Sequence, residues 1–370
     1  MVLVRRQGAS YRYGHYENGH HFPCCGNARD SSRVDDIQNQ IALYLFQQNI
    51  ERQVSWDIRD DLSDGLHVAF CGTGSPLPDP GRGGACTAVI ADGRVFLFDA
   101  GEGAAESLAL MGIAPSNVEA VFLTHFHSDH INGLGALALQ HVFRGNVTGP
   151  LAVYGGPGVE RVVSGFNEAF AQDHSYCVAH HGEDAAPAAG FELAAMPIAA
   201  PDSGLGTVLI DGDITISVFN VHHESVSPAY GYRISDGQRS VVISGDTAYS
   251  PNLVAAAAGA DLLVHEALAP KLVDRLRETA LRHGNDGLAI VMTDIPSYHA
   301  SPADVVRAAN ESGVRALALT HLIPGLPGSF FDDLFLDGAA DDFAGDFWIT
   351  KDGDVISILA NQEYSYLQTR

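Results

Sequence analysis

Lysine is almost missing from this 370-residue chain: Lys271 and Lys351 are the only two. Acidic residues outnumber Lys and Arg by 45 to 21, a formal net charge of −24. Such a surface repels a polyanion unless a local arginine patch overrides the sum, so nucleic acid is an unlikely partner on charge alone. Cysteine is scarce as well. There are five, Cys24, Cys25, Cys71, Cys86 and Cys177. An odd number with two adjacent residues is not a disulfide framework, and a reducing, cytoplasmic setting is expected. Long apolar runs are missing too. None approaches the ~18 residues of a membrane helix, and the opening MVLVRRQGASYRYGHYENGHH has no signal-peptide core.

Apolar residues are not lacking, at 46% of the chain, so a sizeable core can be buried. Residues 1–33 are polar, aromatic and irregular. In 34–54, Val34, Ile37, Ile41, Tyr44 and Leu45 fall near one helical stripe. Residues 1–66 therefore read as an arm with one amphipathic helix, packed on the remainder or on a second subunit. A homodimer is expected. The arm's HHFPCC, with His20, His21, Cys24 and Cys25, is metal-capable, but its spacing matches no standard zinc pattern and ordinary packing is expected.

From residue 67 onward, short β-branched runs alternate with turns. Strands are predicted at 66–72, 85–91, 94–100, 120–125, 151–156, 207–219 in two pieces, 229–234, 239–245, 261–267, 315–321 and 354–360. Helices are predicted at 102–112, 158–172, 251–259, 270–284 and 301–313, the last with Ser301 as N-cap, Pro302 at the first position and Gly313 beyond the end. Grouped strands followed by helices favour two sheets with helices outside them over a regular βαβ alternation. VFLTHF (121–126) and LALTHL (317–322) each deliver a histidine from a strand end, a hint of two related halves.

The densest chemistry is THFHSDHING, with His125, His127, Asp129 and His130 within six positions. In an extended segment, residues two apart share a face, so His125 and His127 can grip one ion. Asp129 and His130 follow in a turn and can reach a second position ~3.5–4 Å away, as two-metal sites require. Imidazole and carboxylate donors without thiolate suit zinc, and also iron or manganese. Cys71 and Cys86 read as small buried hydrophobes.

Over roughly 67–360, the chain resembles the metallo-β-lactamase superfamily, in the hydrolytic branch that contains ribonuclease Z, arylsulfatase-type hydrolases and phosphodiesterases. FCGTGSPLPDPGRGGACTAVI, FLFDAGEG, THFHSDHINGL, VHHESVSPAYGYRI, SGDT, VHEA, YHASP and LTHLIP occur in the family's order. The resemblance implies an α+β, four-layer αββα sandwich over 67–370 and two zinc ions per chain. His125, His127 and His223 would hold the first metal; Asp129, His130 and His321 the second; Asp246 would bridge them. His223 is preferred to His222 because family members carry this ligand eight residues before the glycine of the GYR motif, here Gly231. Asp99 would accept a hydrogen bond from a ligand imidazole.

By the same resemblance, water activated between the metals attacks the substrate, Asp129 orients it and takes its proton, and His299, held by Glu266, serves the leaving group. The substrate expected is a small-molecule ester: a sulfate ester, phosphodiester or lactone. The alternative is ribonuclease Z-like cleavage of RNA, or metal-dependent dehalogenation or redox chemistry on the same fold. Charge weighs against RNA, since 131–221 contains no lysine and several acids. His180 and His181, with Phe126, Phe143, Phe166, Phe170 and Tyr176, could line the substrate mouth or simply pack. Arg82 in the PLPDPGRGG loop could steer an anion or belong to a turn-rich connector.

Overall fold

The computed structural model describes residues 31–143, 147 and 149–369, in two compact units, Met1–Val54 and Ser55–Arg370. The HHFPCC stretch lies outside the described residues. In the first unit, helix α1 (Ser31–Ser55) carries Ile37, Ile41, Leu43, Tyr44, Leu45 and Phe46 exposed at 55–65%.

The second unit is a mixed α/β body built on two sheets. One contains β1 (Gly65–Gly72), β2 (Cys86–Ala91), β3 (Arg94–Phe98), β4 (Val118–Phe122), β5 (Leu151–Gly155), β6 (Leu193–Pro197), β14 (Asp354–Leu359) and β15 (Tyr364–Gln368), in the order β15-β14-β1-β2-β3-β4-β5-β6. The other contains β7 (Gly206–Asp211), β8 (Ile214–Asn220), β9 (Tyr230–Ser235), β10 (Ser240–Ile243), β11 (Leu262–Leu268), β12 (Ala316–Ile323) and β13 (Asp346–Ile349), in the order β13-β12-β11-β10-β9-β8-β7. The helices are α2 (Ala104–Leu110), α3 (Ser128–Ile131), α4 (Leu134–Phe143), α5 (Val159–His181), α6 (Pro251–Ala257), α7 (Pro270–Arg282), α8 (Asp286–Asp294), α9 (Pro302–Ser312) and α10 (Asp332–Leu336).

Strand alternation explains the layers, because successive side chains point to opposite faces. In β1, Val68 and Phe70 turn inward to meet Ile216, Tyr232 and Val264 of the facing sheet, while Ala69 and Cys71 join the outer core under α2 and α4. Phe122 is stacked between Phe98 and Tyr154, with centroids 5.3 and 4.8 Å away. A third core lies beneath α6 and α9. These three cores define the four-layer αββα sandwich. Residues before β1 also enter it: Ile58 is fully buried, with Trp56 and Leu62 packed against the outer core.

One cysteine expectation needs correction. Cys71 and Cys86 are joined in a disulfide, with Cα atoms 5.0 Å apart. They are 15 residues apart in sequence, but β1 pairs antiparallel with β2, Gly72 lies opposite Cys86, and a bulge between Phe70 and Gly72 brings Cys71 to the same partner. The cysteine count therefore gives no argument for a reducing compartment. Among the described residues, no helix is long and apolar enough to cross a membrane.

Candidate metal centre

Strands of both sheets end at one edge of the sandwich, and the site is assembled from those ends. β3 leads to Asp99, β4 to Thr124–His130, β8 to His223 and β10 to Asp246. β11 carries Glu266, and β12 carries His321. Asp99 and His321 adopt left-handed backbone angles, φ +58° and +46°, uncommon for non-glycine residues and typical of functional sites. Gly245 has φ +61°, and a Cβ there would stand 2.4 Å from the Tyr230 carbonyl oxygen. That is why glycine precedes Asp246 in SGDT.

Two groups of donors converge. His125, His127, His223 and Asp246 place one ligand atom each within 4.8 Å of one another, and so do Asp129, His130 and His321. His127 Nδ1 lies 2.9 Å from His125 Nε2 and 3.3 Å from His223 Nε2. Asp246 Oδ2 is central: 3.3 Å from His130 Nε2, 3.5 Å from His321 Nε2, 3.9 Å from His125 Nε2 and 4.0 Å from His223 Nε2. His222 is exposed and outside both groups, whereas His223 is 1% exposed. His299 and His321 form a further group with Asp246.

Hydrogen bonds around these groups fix ring orientation. Asp99 Oδ1 accepts from the Thr124 amide at 2.8 Å; Oδ2 accepts from Thr124 Oγ1 and from His130 Nδ1, each at 2.8 Å. His130 Nε2 is thereby turned into the site, where it is buried with no hydrogen-bond partner. His223 Nδ1 donates to the Tyr298 carbonyl oxygen at 3.1 Å, which directs Nε2 toward His127. Glu266 Oε1 accepts from His299 Nδ1 at 2.9 Å and from the Thr247 and Ala300 amides, each at 3.1 Å.

Electrostatics sort the same groups. Burial, reinforced by the neighbouring imidazoles, pulls His125, His127 and His223 below the usual histidine range, leaving neutral lone pairs. Burial alone would raise Asp246, but His321 and His130 outweigh it and hold the carboxyl well below its ordinary range. Burial pulls His299 down, yet the Glu266 carboxylate more than reverses this and lifts it to about 9.

These donors fit a pair of divalent cations. Neutral imidazoles and ionised carboxylates are the ligand forms such ions take. The nitrogens of buried His125 and His223 crowd 2.9 and 3.3 Å from that of the more exposed His127, and buried His130 Nε2 has near it only carboxylate oxygens outside hydrogen-bond geometry; such an arrangement is costly unless something binds it. An imidazole backed by a carboxylate, as His130 is by Asp99, is the usual outer-shell support.

Other candidates fall elsewhere. Arg82 Nη1 donates to Thr73 Oγ1 at 2.6 Å and to the Thr350 carbonyl oxygen at 2.7 Å, so it pins its loop. His180 and His181 are exposed at the end of α5, with His181 against Phe143. Phe166 lines an open groove of about 330 Å³ on α5, and Phe170 packs over Gly135. The mouth beside the donors is formed instead by Ser75, Leu77, Val291, Met292, Ile295 and Tyr298. The sequence reading missed this wall. The one available signal was an aromatic residue immediately before His299.

Fold and donor set together define a metal-dependent hydrolase of the metallo-β-lactamase class. Residues 94–322 match the family described as Beta-lactamase superfamily domain, and the chain belongs to that family. It is 33% identical over 290 residues to Ribonuclease Z of Mycobacterium bovis (strain BCG / Pasteur 1173P2), covering 78% of this chain and 96% of that protein. It is 35% identical over 271 residues to Ribonuclease Z of Mycobacterium sp. (strain KMS), covering 72% and 88%. Among solved structures, the metallo-beta-lactamase fold protein YhfI from Bacillus subtilis aligns with TM-score 0.56 at 22% identity, covering 80% of this chain and 100% of that one. Human tRNase Z, short form, aligns with TM-score 0.57 at 21% identity, covering 79% and 98%. At those identities the two structures speak to the fold.

These relatives overturn the charge-based expectation against nucleic acid, and they favour the RNA alternative over small-ester hydrolysis. The physical reason is that net charge is a sum over the whole surface, whereas a polyanion meets a local field. Here α7 carries Lys271, Arg275, Arg277 and Arg282, and it packs with α8, which walls the mouth.

Proposed function

We propose that the chain is a zinc-dependent phosphodiesterase acting on RNA, with precursors of transfer RNA as its substrate class. The observation that carries the reading is the meeting of seven donors from four strand ends at one edge of the sandwich. The relatives named Ribonuclease Z supply the substrate class. His125, His127 and His223 would hold one cation; Asp129, His130 and His321 would hold the other; Asp246 would stand between them.

When bound, such cations bring the pKa of a water toward ~7 and offset charge on the phosphate oxygens. Asp129, 3.1 Å from His321 Nε2 through its Oδ2, orients that water and accepts its proton. The water oxygen forms the new bond to phosphorus as the bond to the leaving oxygen breaks. His299, its Nδ1 committed to Glu266, delivers the proton on its other nitrogen to the leaving oxygen. One product then ends in a phosphate and the other in a hydroxyl. Lys271, Arg275, Arg277 and Arg282 on α7 would contact the RNA backbone beside the mouth, although Asp337, Glu278 and Asp274 pair with the first three of them.

The test is to incubate zinc-loaded protein with a transfer RNA precursor bearing a 3′ extension, and in parallel with chromogenic phosphodiester, sulfate and lactone esters. Cleavage of the RNA at one position, lost in Asp246→Ala, is expected. Turnover of a sulfate ester or lactone with the RNA left intact would refute the reading.

A further inference from the structure

The mouth is a cavity of about 240 Å³ that contains His127, Asp129, Asp246 and His299 in its own wall. A group seated there lies beside the donors that would face the scissile phosphate. Its volume falls below the ~300–1,000 Å³ of drug-sized pockets, so it admits a single ring system. Most of the remaining wall is apolar, from Leu77, Val291, Met292, Ile295 and Ile323, with the Ser128 hydroxyl at its edge beside the donors. It is also firm. Met292, Ile295 and Ile323 belong to a buried cluster with Leu268 and Val273 that ties α7 and α8 to the ends of β11 and β12.

Two features say what kind of ring. Tyr298 is half-buried, with its ring edge-on to His223 at 5.1 Å and inclined to His299 at 5.0 Å. An aromatic plane is thus fixed next to the group that serves the leaving oxygen. Ser75 Oγ, in the same wall, is buried with no hydrogen-bond partner. Buried hydroxyls are normally paired, so an orphan in a pocket points to a ligand with a polar edge. A largely apolar wall, one aromatic platform and an unpaired buried hydroxyl match a group with π faces and a polar rim, which is a nucleobase.

We propose that this cavity seats the base of the nucleotide whose oxygen leaves, stacked on Tyr298 with its edge toward Ser75. The inference rests on the RNA phosphodiesterase reading, and it assigns Tyr298 a binding role. The side follows from His299: the group that protonates the leaving oxygen lines this cavity, so the leaving nucleoside is the one at hand.

The experiment compares three forms of one RNA that the zinc-loaded enzyme cleaves: intact, abasic on the leaving side of the scissile bond, and abasic on the other side. The fragment that retains the phosphate identifies the sides. For the wild type, removing the leaving-side base should lower kcat/KM by between about 5-fold and 150-fold, the span of ~1–3 kcal/mol per stacked base. In Tyr298→Ala the intact and leaving-side abasic substrates should differ by less than about twofold, while Tyr298→Phe keeps the wild-type preference. Each preference is a ratio within one variant, so partial loss of folded protein cancels. No leaving-side effect, a larger effect on the other side, or an undiminished preference in Tyr298→Ala overturns the proposal. If no RNA is cleaved at all, the phosphodiesterase reading fails first and takes this one with it.

Discussion

Replacing Glu266 with Gln isolates the charge behind His299. Glu266 Oε1 accepts three hydrogen bonds, from His299 Nδ1 and the Thr247 and Ala300 amides. An amide oxygen can accept all three, so the geometry should survive. The new amide nitrogen would occupy the place of Oε2, which is buried without a partner. That costs ~1–3 kcal/mol, visible as a modest fall in Tm. The larger effect is electrostatic. Burial alone would place His299 below 6.5, and the carboxylate raises it to about 9. Without that charge the burial penalty is offset only by Asp246, so His299 falls from about 9 and a smaller share of the rings is protonated near neutral pH. Cations at the neighbouring ligands lower both values together, so the difference between variants is the quantity to read. Glu266→Gln should lose kcat, by up to the ~10²–10⁴-fold that general acid catalysis supplies, and the alkaline limb of its rate profile should move to lower pH. Metal content should be unchanged. A pH profile superimposable on the wild type would refute the role of the pair.

Three further outcomes follow from the same structure. Asp99→Asn places an amide nitrogen against His130 Nδ1 or Thr124 Oγ1; zinc affinity measured by chelator competition should fall ~10–100-fold, and an unchanged affinity would remove Asp99 from the support of His130. Replacing Cys71 and Cys86 together with Ala opens a loop of 15 residues; urea unfolding should show a loss near ~3 kcal/mol, and an identical midpoint would contradict it. His67 is held down to about 4, chiefly by burial, with its Nδ1 paired to Ser357 Oγ. Because the folded value lies below the unfolded ~6.5, its contribution is intact above that pH and is lost as pH falls toward 4, by about 2.5 kcal/mol at pH ~4.5. Unfolding of His67→Gln at the two pH values should show a correspondingly smaller acid loss, and an equal loss would exclude His67.

The strand-end residues were legible because their signal is local. Thr-His-x-His-x-Asp-His after VFL, and single Asp, Glu and His residues closing later β-branched runs, stand within a few positions of the strand that aims them. The inner strands were readable for the same reason: β1, β2, β3, β11, β12 and β14 are nearly continuous buried runs. Edge strands β6, β13 and β15 were not, since they are short and largely exposed or half-buried and lack the alternation of a strand with one wet face. The disulfide and the mouth were hidden for a different reason. Cys71 meets Cys86 through strand register, and Ser75, Met292 and Tyr298 meet through tertiary packing, neither of which has a local pattern. The charge argument failed because it averaged the surface. Four of the chain's 21 basic side chains stand on α7 alone.

The most direct test of the central claim is metal content per chain, measured on protein purified without added metal or chelator, for the wild type and for His321→Ala. About two zinc ions per 39.3 kDa chain are expected in the wild type, and about one or fewer in the variant. One ion or none in the wild type, or two retained after His321 is removed, would contradict a site built from these seven donors.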